Sequence, residues 1–182
     1  MEMSQAKEFW LHERSHAHVN PNPDIGIQDI VDLSMGSVLD FGCGFGKLTP
    51  YFADYLGVDI NQDRVEACQE KFMEKRFDLI ESHRDLRLFR CQTLIANNVL
   101  HHVDDNEILP MLDSFRICAR YVVQGNHVTE NGKFPRSGQV TSHNRTFLQY
   151  EELFNEAGFH LNICQTVYNP HYRENFHIMR WS

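Results

Sequence analysis

A single α/β domain on a mostly parallel, doubly wound sheet is the fold class this sequence predicts, and three observations carry the prediction. Short apolar runs alternate with helical patterns from residue 37 onward, glycines follow the first of those runs, and two longer strand-like segments close the chain. The chain has 182 residues, a size that suits one core and buries about 70% of the surface exposed by the unfolded chain. Residues 1–24 read as an N-terminal helix and linker capping the domain, and residues 25–182 as the domain itself.

Residues 2–18 read as a polar helix carrying Phe9, Trp10 and Leu11, stopped by Asn20-Pro21-Asn22-Pro23. Ser37-Val38-Leu39-Asp40-Phe41 is an apolar run that suits a buried parallel strand. Thr49 offers an N-cap and Pro50 a first helical position, which predicts a helix there. Leu56–Ile60 is a second strand, after which Asn61 or Asp63 caps a helix with Val65, Cys68 and Phe72 on one face. Phe77–Ile80 and Thr93–Ala96 are further strands. Asp104, Asp105 or Asn106 then caps a helix in which Ile108, Leu112 and Phe115 recur at i, i+4 and i+7. Tyr121–Gln124 is a fifth strand, the polar segment from Gly125 to Asn144 a long loop, and Phe147–Ala157 a helix ended by Gly158. Segments 159–167 and 174–181, separated by Asn169-Pro170, have the spacing of an antiparallel hairpin. The expected sheet therefore has seven strands, mostly parallel with an antiparallel C-terminal hairpin strand, and helices on both faces.

The formal charge of −8, from 25 acidic and 17 basic residues, disfavours a broad grip on nucleic-acid phosphates. Lys71, Lys75, Arg76, Arg84, Arg87 and Arg90 fall close together and read as a solvated helix face and loop. Five cysteines, odd in number and without a CxxC pair, point to reduced thiols in the cytoplasm. The start, MEMSQAKEFWLHERSHAHV, lacks a secretory pattern, and no run approaches the ~20 apolar residues of a membrane span.

Parallel sheets bind ligands at the carboxyl ends of their strands. Asp40-Phe41-Gly42-Cys43-Gly44-Phe45-Gly46 lies there, where glycines let the chain turn sharply and a ligand approach its backbone amides. Asp59 ends the next strand, nineteen positions beyond Asp40, where an acid accepts hydrogen bonds from ribose hydroxyls. The turn reads G-x-G-x-G, unlike the G-x-G-x-x-G of dinucleotide sites, and the preceding Asp40 repels pyrophosphate and favours an ammonium group.

VLDFGCGFG resembles the first motif of class I S-adenosylmethionine-dependent methyltransferases, and GVDIN resembles their second. LIANNVLHHV is similar to the fourth-strand segment of the small-molecule, methyltransferase type 11/12-like branch, and RTFLQYEELFNEAGF to the helix before the last two strands. The likeness spans Ser37 to Trp181 and implies a Rossmann-like fold with S-adenosylmethionine as cofactor. It places Asp40, Gly42, Cys43, Gly44 and Gly46 around the methionine part, Asp59 and Ile60 at the ribose, Glu81 or Ser82 at the adenine, and Asn97 at the fourth strand's tip. Thr93 stands where the family's fourth strand opens with aspartate. Asn97-Asn98-Val99-Leu100 is not the Asn-Pro-Pro-aromatic tetrad of enzymes that methylate exocyclic base amines.

Methyl transfer is an in-line displacement, served by a nucleophile held roughly 3–3.5 Å from the methyl carbon in a water-poor site. A histidine of near-neutral pKa can deprotonate a hydroxyl acceptor. Among 11 histidines, His102 follows the fourth strand, while His127 and His143 flank the loop after the fifth, and these three are the catalytic candidates. Trp10, with Phe9 and the loop of residues 125–144, is placed to close over a small-molecule acceptor, with His102 beside it. Two other readings compete. His12-Glu13-Arg14-Ser15-His16 matches the HExxH of zinc peptidases, without the glycine and third histidine of the extended motif. A protein that binds the cofactor without catalysis, as a sensor or partner subunit, carries the same cofactor motifs; the sequence leaves the oligomeric state open. On the ribose assignment, Asp59→Ala is expected to weaken cofactor binding by ~1.5–3 kcal/mol, the worth of a hydrogen bond to a charged group, and unchanged affinity in calorimetry would count against it.

Overall fold

The computed structural model describes residues 26–128, 143, 145–169 and 174–182. Trp10, the HExxH segment and the proposed residue 1–24 cap lie outside these residues. In chain order the elements are α1 (Ile27–Leu33), β1 (Val38–Phe41), β2 (Tyr55–Asp59), α2 (Gln62–Lys71), β3 (Arg76–Leu79), β4 (Cys91–Asn97), α3 (Asp105–Cys118), β5 (Ala119–His127), α4 (Phe147–Glu156), β6 (Leu161–Asn169) and β7 (Glu174–Trp181). Single 3-10 segments occupy Thr49–Tyr51, His83–Leu88 and Leu100–His102.

The seven strands form one sheet in the order β3-β2-β1-β4-β5-β7-β6. β1 to β5 are parallel, and β7 runs antiparallel to both β5 and β6. The predicted doubly wound, Rossmann-like class is therefore the observed one. All four residues of β1 are buried, as a central parallel strand covered on both faces requires. On one face, Ile108, Leu112 and Phe115 of α3 pack with Tyr150 and Phe154 of α4. On the other, Ile27, Ile30 and Leu33 of α1 pack with Val65 and Cys68 of α2. Phe115 meets Phe41 edge-on at 5.2 Å between ring centroids, tying α3 to the strand that feeds the glycine turn. Among the described residues no helix is long and apolar enough to cross a membrane.

Three elements depart from the sequence reading. The helix expected at Thr49-Pro50 is a three-residue 3-10 turn. The Asp54 carbonyl is taken by Val38 N at 3.0 Å to start the β1–β2 pairing, and Lys75 Nζ donates to the carbonyls of Phe52 (2.7 Å) and Ala53 (2.9 Å), so no chain remains for a second turn. Helix α1 went unpredicted because Gly26 at its N-cap, φ +73, provides no side-chain cap to read. Strand β5 runs on through Gly125, Asn126 and His127, which had been assigned to the loop, because β7 pairs with all three. Gly125 is closely packed there: a Cβ would sit 2.6 Å from Asn97 Oδ1 and 2.9 Å from Phe176 Cζ.

Phe115 has no exposed surface and bridges the sheet and α3. Phe115→Ala should cost about 3–5 kcal/mol in urea unfolding, whereas a loss under about 1 kcal/mol, typical of ordinary substitutions, would contradict this packing.

Candidate active site

β1 pairs with β2 on one side and β4 on the other, so successive connections diverge around its carboxyl end. The chain leaves β1 through Gly42, Gly44 and Gly46, all at positive φ (+71, +55 and +69). A Cβ on Gly42 would lie 2.6 Å from Val99 Cγ2, so the turn presses against the chain emerging from β4. A Cβ on Gly44 would meet nothing within 4 Å, so that face of the turn is open. The amides of Gly42 and Cys43 donate to Val58 O (2.8 and 3.1 Å), Gly46 N to Cys43 O (3.0 Å), and Gly44 N to Asp59 Oδ2 (2.9 Å). These four donors are spent inside the protein, so the turn offers a ligand room and nearby negative charge more than backbone amides.

The charge comes from two buried carboxylates. Asp40 accepts the Tyr55 hydroxyl at 2.7 Å, and Asp59 accepts Gly44 N through one oxygen and Asn61 N (2.9 Å) through the other. Burial pushes the Asp40 carboxyl up to about 7; the Tyr55 hydrogen bond pulls it down, and the Asp59 charge adds to the rise. The carboxylates thus feel each other across neighbouring strand tips. Burial also raises the Tyr55 phenol, which keeps it a hydrogen-bond donor.

The remaining predicted positions spread around this corner. Ile60 follows Asp59 and packs partly against the core. Glu81 is exposed, and the Ser82 hydroxyl caps the following 3-10 segment, accepting Arg84 N at 3.2 Å in a capping box with Asp85. Asn97 ends β4 beside Gly125, and Asn98 turns the chain at φ +58 with its amide on Gly125 O (2.7 Å). The turn that follows carries His102, whose ring lies 3.8 Å from that of His101. His143 is brought to the same place: its backbone N donates to His101 O (2.7 Å) and its Nε2 pairs with Asp104 Oδ1 (2.8 Å). His127 is on β5 opposite Phe176. A cavity of about 350 Å³ is lined by His143 and Arg145 together with Asp105, Gln149 and Glu152.

Four residues at this edge, Tyr55, His101, Asn126 and Arg145, escaped the sequence reading. Tyr55, the partner of Asp40, is visible only once the β1–β2 register is known. His101 stood beside a selected histidine, and its Nδ1 lies 3.2 Å from Oδ1 of the buried Asn126. Arg145 is 5% exposed, although it lies between the polar segment ending at Asn144 and the helix starting at Phe147 and was assigned no role.

A family model described as a methyltransferase domain matches residues 38–120, the stretch from β1 to the start of β5. Over this segment the chain is similar to methyltransferase domains. Its fold is that of solved S-adenosylmethionine-dependent methyltransferases, of which three illustrate the likeness. One from Methanosarcina mazei has a TM-score of 0.68 at 15% identity, covering 84% of this chain and 95% of that one. Magnesium protoporphyrin IX methyltransferase from Synechocystis PCC 6803, with bound S-adenosylhomocysteine, gives 0.67 at 19%, covering 97% and 92%. The 1,6-didemethyltoxoflavin-N1-methyltransferase of Burkholderia thailandensis, with S-adenosylhomocysteine and its substrate bound, gives 0.69 at 16%, covering 87% and 78%. Among curated protein sequences none matches the chain.

The residues present fit the cofactor of such methyltransferase domains. S-adenosylmethionine brings an ammonium group and two ribose hydroxyls, and the corner holds two buried carboxylates beside an open glycine face. Asp59 keeps lone pairs beyond its two backbone bonds. Asp40 gives a direct electrostatic test. Its carboxyl is raised on folding, so the folded chain holds a proton that the unfolded chain releases, and stability falls as pH rises from about 4 through about 7. Asp40→Asn should therefore gain in melting temperature relative to wild type between about pH 5 and about pH 8; a difference independent of pH would contradict the burial of a lone charge.

Proposed function

We propose that this methyltransferase domain transfers the methyl group of S-adenosylmethionine to an oxygen or nitrogen of a small-molecule acceptor. One observation carries the proposal: Asp40 and Asp59 meet at the carboxyl ends of β1 and β2 around the open face of Gly44. When bound, the cofactor supplies an electrophilic methyl on a sulfonium.

The chain's own part is to bind, orient and exclude water. Asp59 is fixed by Gly44 N and Asn61 N, which leaves it rigid for two sugar hydroxyls. Asp40 lies on the amino-acid side, where an ammonium group draws its proton off and pairs with the carboxylate. Val99, against Gly42, packs the β4 side of the turn, and the segment after it brings His101 and His102 to the acceptor side. An imidazole there can take the acceptor's proton as the nucleophile attacks. The small-molecule reading draws support from two fold relatives named for a porphyrin and a toxoflavin precursor. It also accords with the chain's net negative charge, which disfavours nucleic acid.

Calorimetry with S-adenosylmethionine, S-adenosylhomocysteine, NAD and zinc, followed by an acceptor panel read as S-adenosylhomocysteine release, tests the proposal. The expected result is binding of the first two ligands, none of NAD, and turnover of at least one small acceptor. Binding without turnover would turn the reading to a sensor, and failure to bind either sulfur nucleoside would end it.

A further inference from the structure

Arg145 is the most deeply buried charged side chain on the acceptor side, and its bonds go chiefly to backbone. Nη1 donates to Leu100 O at 2.9 Å and Nη2 to Val103 O at 2.7 Å, the carbonyls at the two ends of the turn that carries His101 and His102. Its carboxylate partner among the described residues, Asp105, is reached by Nε (3.1 Å) and Nη2 (2.5 Å) and is itself 84% exposed. A surface-facing ion pair of that kind gives little stability, so the two carbonyl bonds account for the guanidinium's position. The planar fork of arginine reaches Leu100 O and Val103 O from two separate nitrogens in fixed relative geometry, where a lysine has a single nitrogen on a flexible stem.

The same turn is held from two other sides. His143 N donates to His101 O, and His143 Nε2 pairs with Asp104, drawing away the carboxylate that would otherwise cap α3. From β5, the fully buried Asn126 spends its Oδ1 on His101 Nδ1, while its Nδ2 has no partner among the described residues. All these bonds converge on a few residues directly after Val99, which touches the cofactor turn.

We propose that Arg145 is a positioning residue for methyl transfer, fixing the Leu100–His102 turn, and with it His101 and His102, against the cofactor corner. Asn126 and His143 are its accessories. The inference rests on the methyltransferase reading above, because only methyl transfer gives that turn an acceptor to face. A one-ångström misplacement on the acceptor side is enough to slow such a reaction about a hundredfold while leaving cofactor binding untouched.

The experiment compares wild type, Arg145→Lys, Arg145→Gln and Asp105→Asn in the full chain, using amide hydrogen exchange by mass spectrometry and S-adenosylhomocysteine calorimetry. In both Arg145 variants, peptides covering residues 98–105 should exchange about tenfold faster or more, and those covering β1 and β2 should keep wild-type rates. Asp105→Asn should stay near wild type. S-adenosylhomocysteine affinity should hold within about threefold, the scale of a minor contact. With the acceptor found in the panel, kcat should fall by about a hundredfold in Arg145→Lys at unchanged KM for S-adenosylmethionine. Exchange that rises equally across the sheet, or stays unchanged at 98–105, would overturn the proposal, as would unchanged kcat. Arg145→Lys keeps the charge on a single donor nitrogen without the rigid fork, so it reports even if Arg145→Gln does not fold. Wild type that fails to bind S-adenosylhomocysteine would instead sink the methyltransferase reading, and the exchange result would still stand on its own.

Discussion

The carboxylate of Asp59 closes the corner on which everything functional is built. One oxygen takes the amide of Gly44 and the other the amide of Asn61, so a single side chain ties the turn after β1 to the tip of β2 and the approach to α2. With that tie in place, the three left-handed glycines are held in one geometry, pressed on one side against Val99 and open on the other at Gly44. The sheet order puts β4 on the far side of β1, and the residues after it become the opposite wall of the same corner.

Asp40 shows what this arrangement costs the protein. A carboxyl buried beside a second carboxylate, with the Tyr55 hydroxyl as its hydrogen-bond donor, is held in the folded chain against its tendency to ionise. Fold stability alone gives no reason to keep an acid there, since an apolar residue would serve a buried central strand better. A cationic ligand gives such a reason, because it reverses the electrostatic penalty on binding. Opposite it, Arg145 is a buried charge of the other sign, but its donors are met by carbonyls and Asp105, so it organises a turn where Asp40 is poised for a partner.

Local patterns made most of the fold legible. The apolar run ending at Phe41, the spacing of Ile108, Leu112 and Phe115, and the Asn61 cap each have a short-range cause, and each element formed where that cause lies. The cofactor side was legible for the same reason, since Asp40, the glycines and Asp59 are read from spacing within two adjacent units. What stayed hidden is non-local. Tyr55 reaches Asp40 through strand register, and the turn at Thr49 was cut short by a lysine more than twenty residues later. Arg145 meets carbonyls some forty residues before it, just ahead of a helix whose local pattern says nothing of them. Side chains that act on distant backbone leave no periodicity to find.

The measurement that bears most directly on the central claim is a crystal structure of the chain with S-adenosylhomocysteine. The account predicts the nucleoside over the open face of Gly44, its ribose hydroxyls within hydrogen-bond reach of Asp59 and its ammonium group on the Asp40 side. A nucleoside seated elsewhere, for instance in the cavity lined by Asp105, Gln149 and Glu152, with Asp40 and Asp59 touching no part of it, would contradict the account.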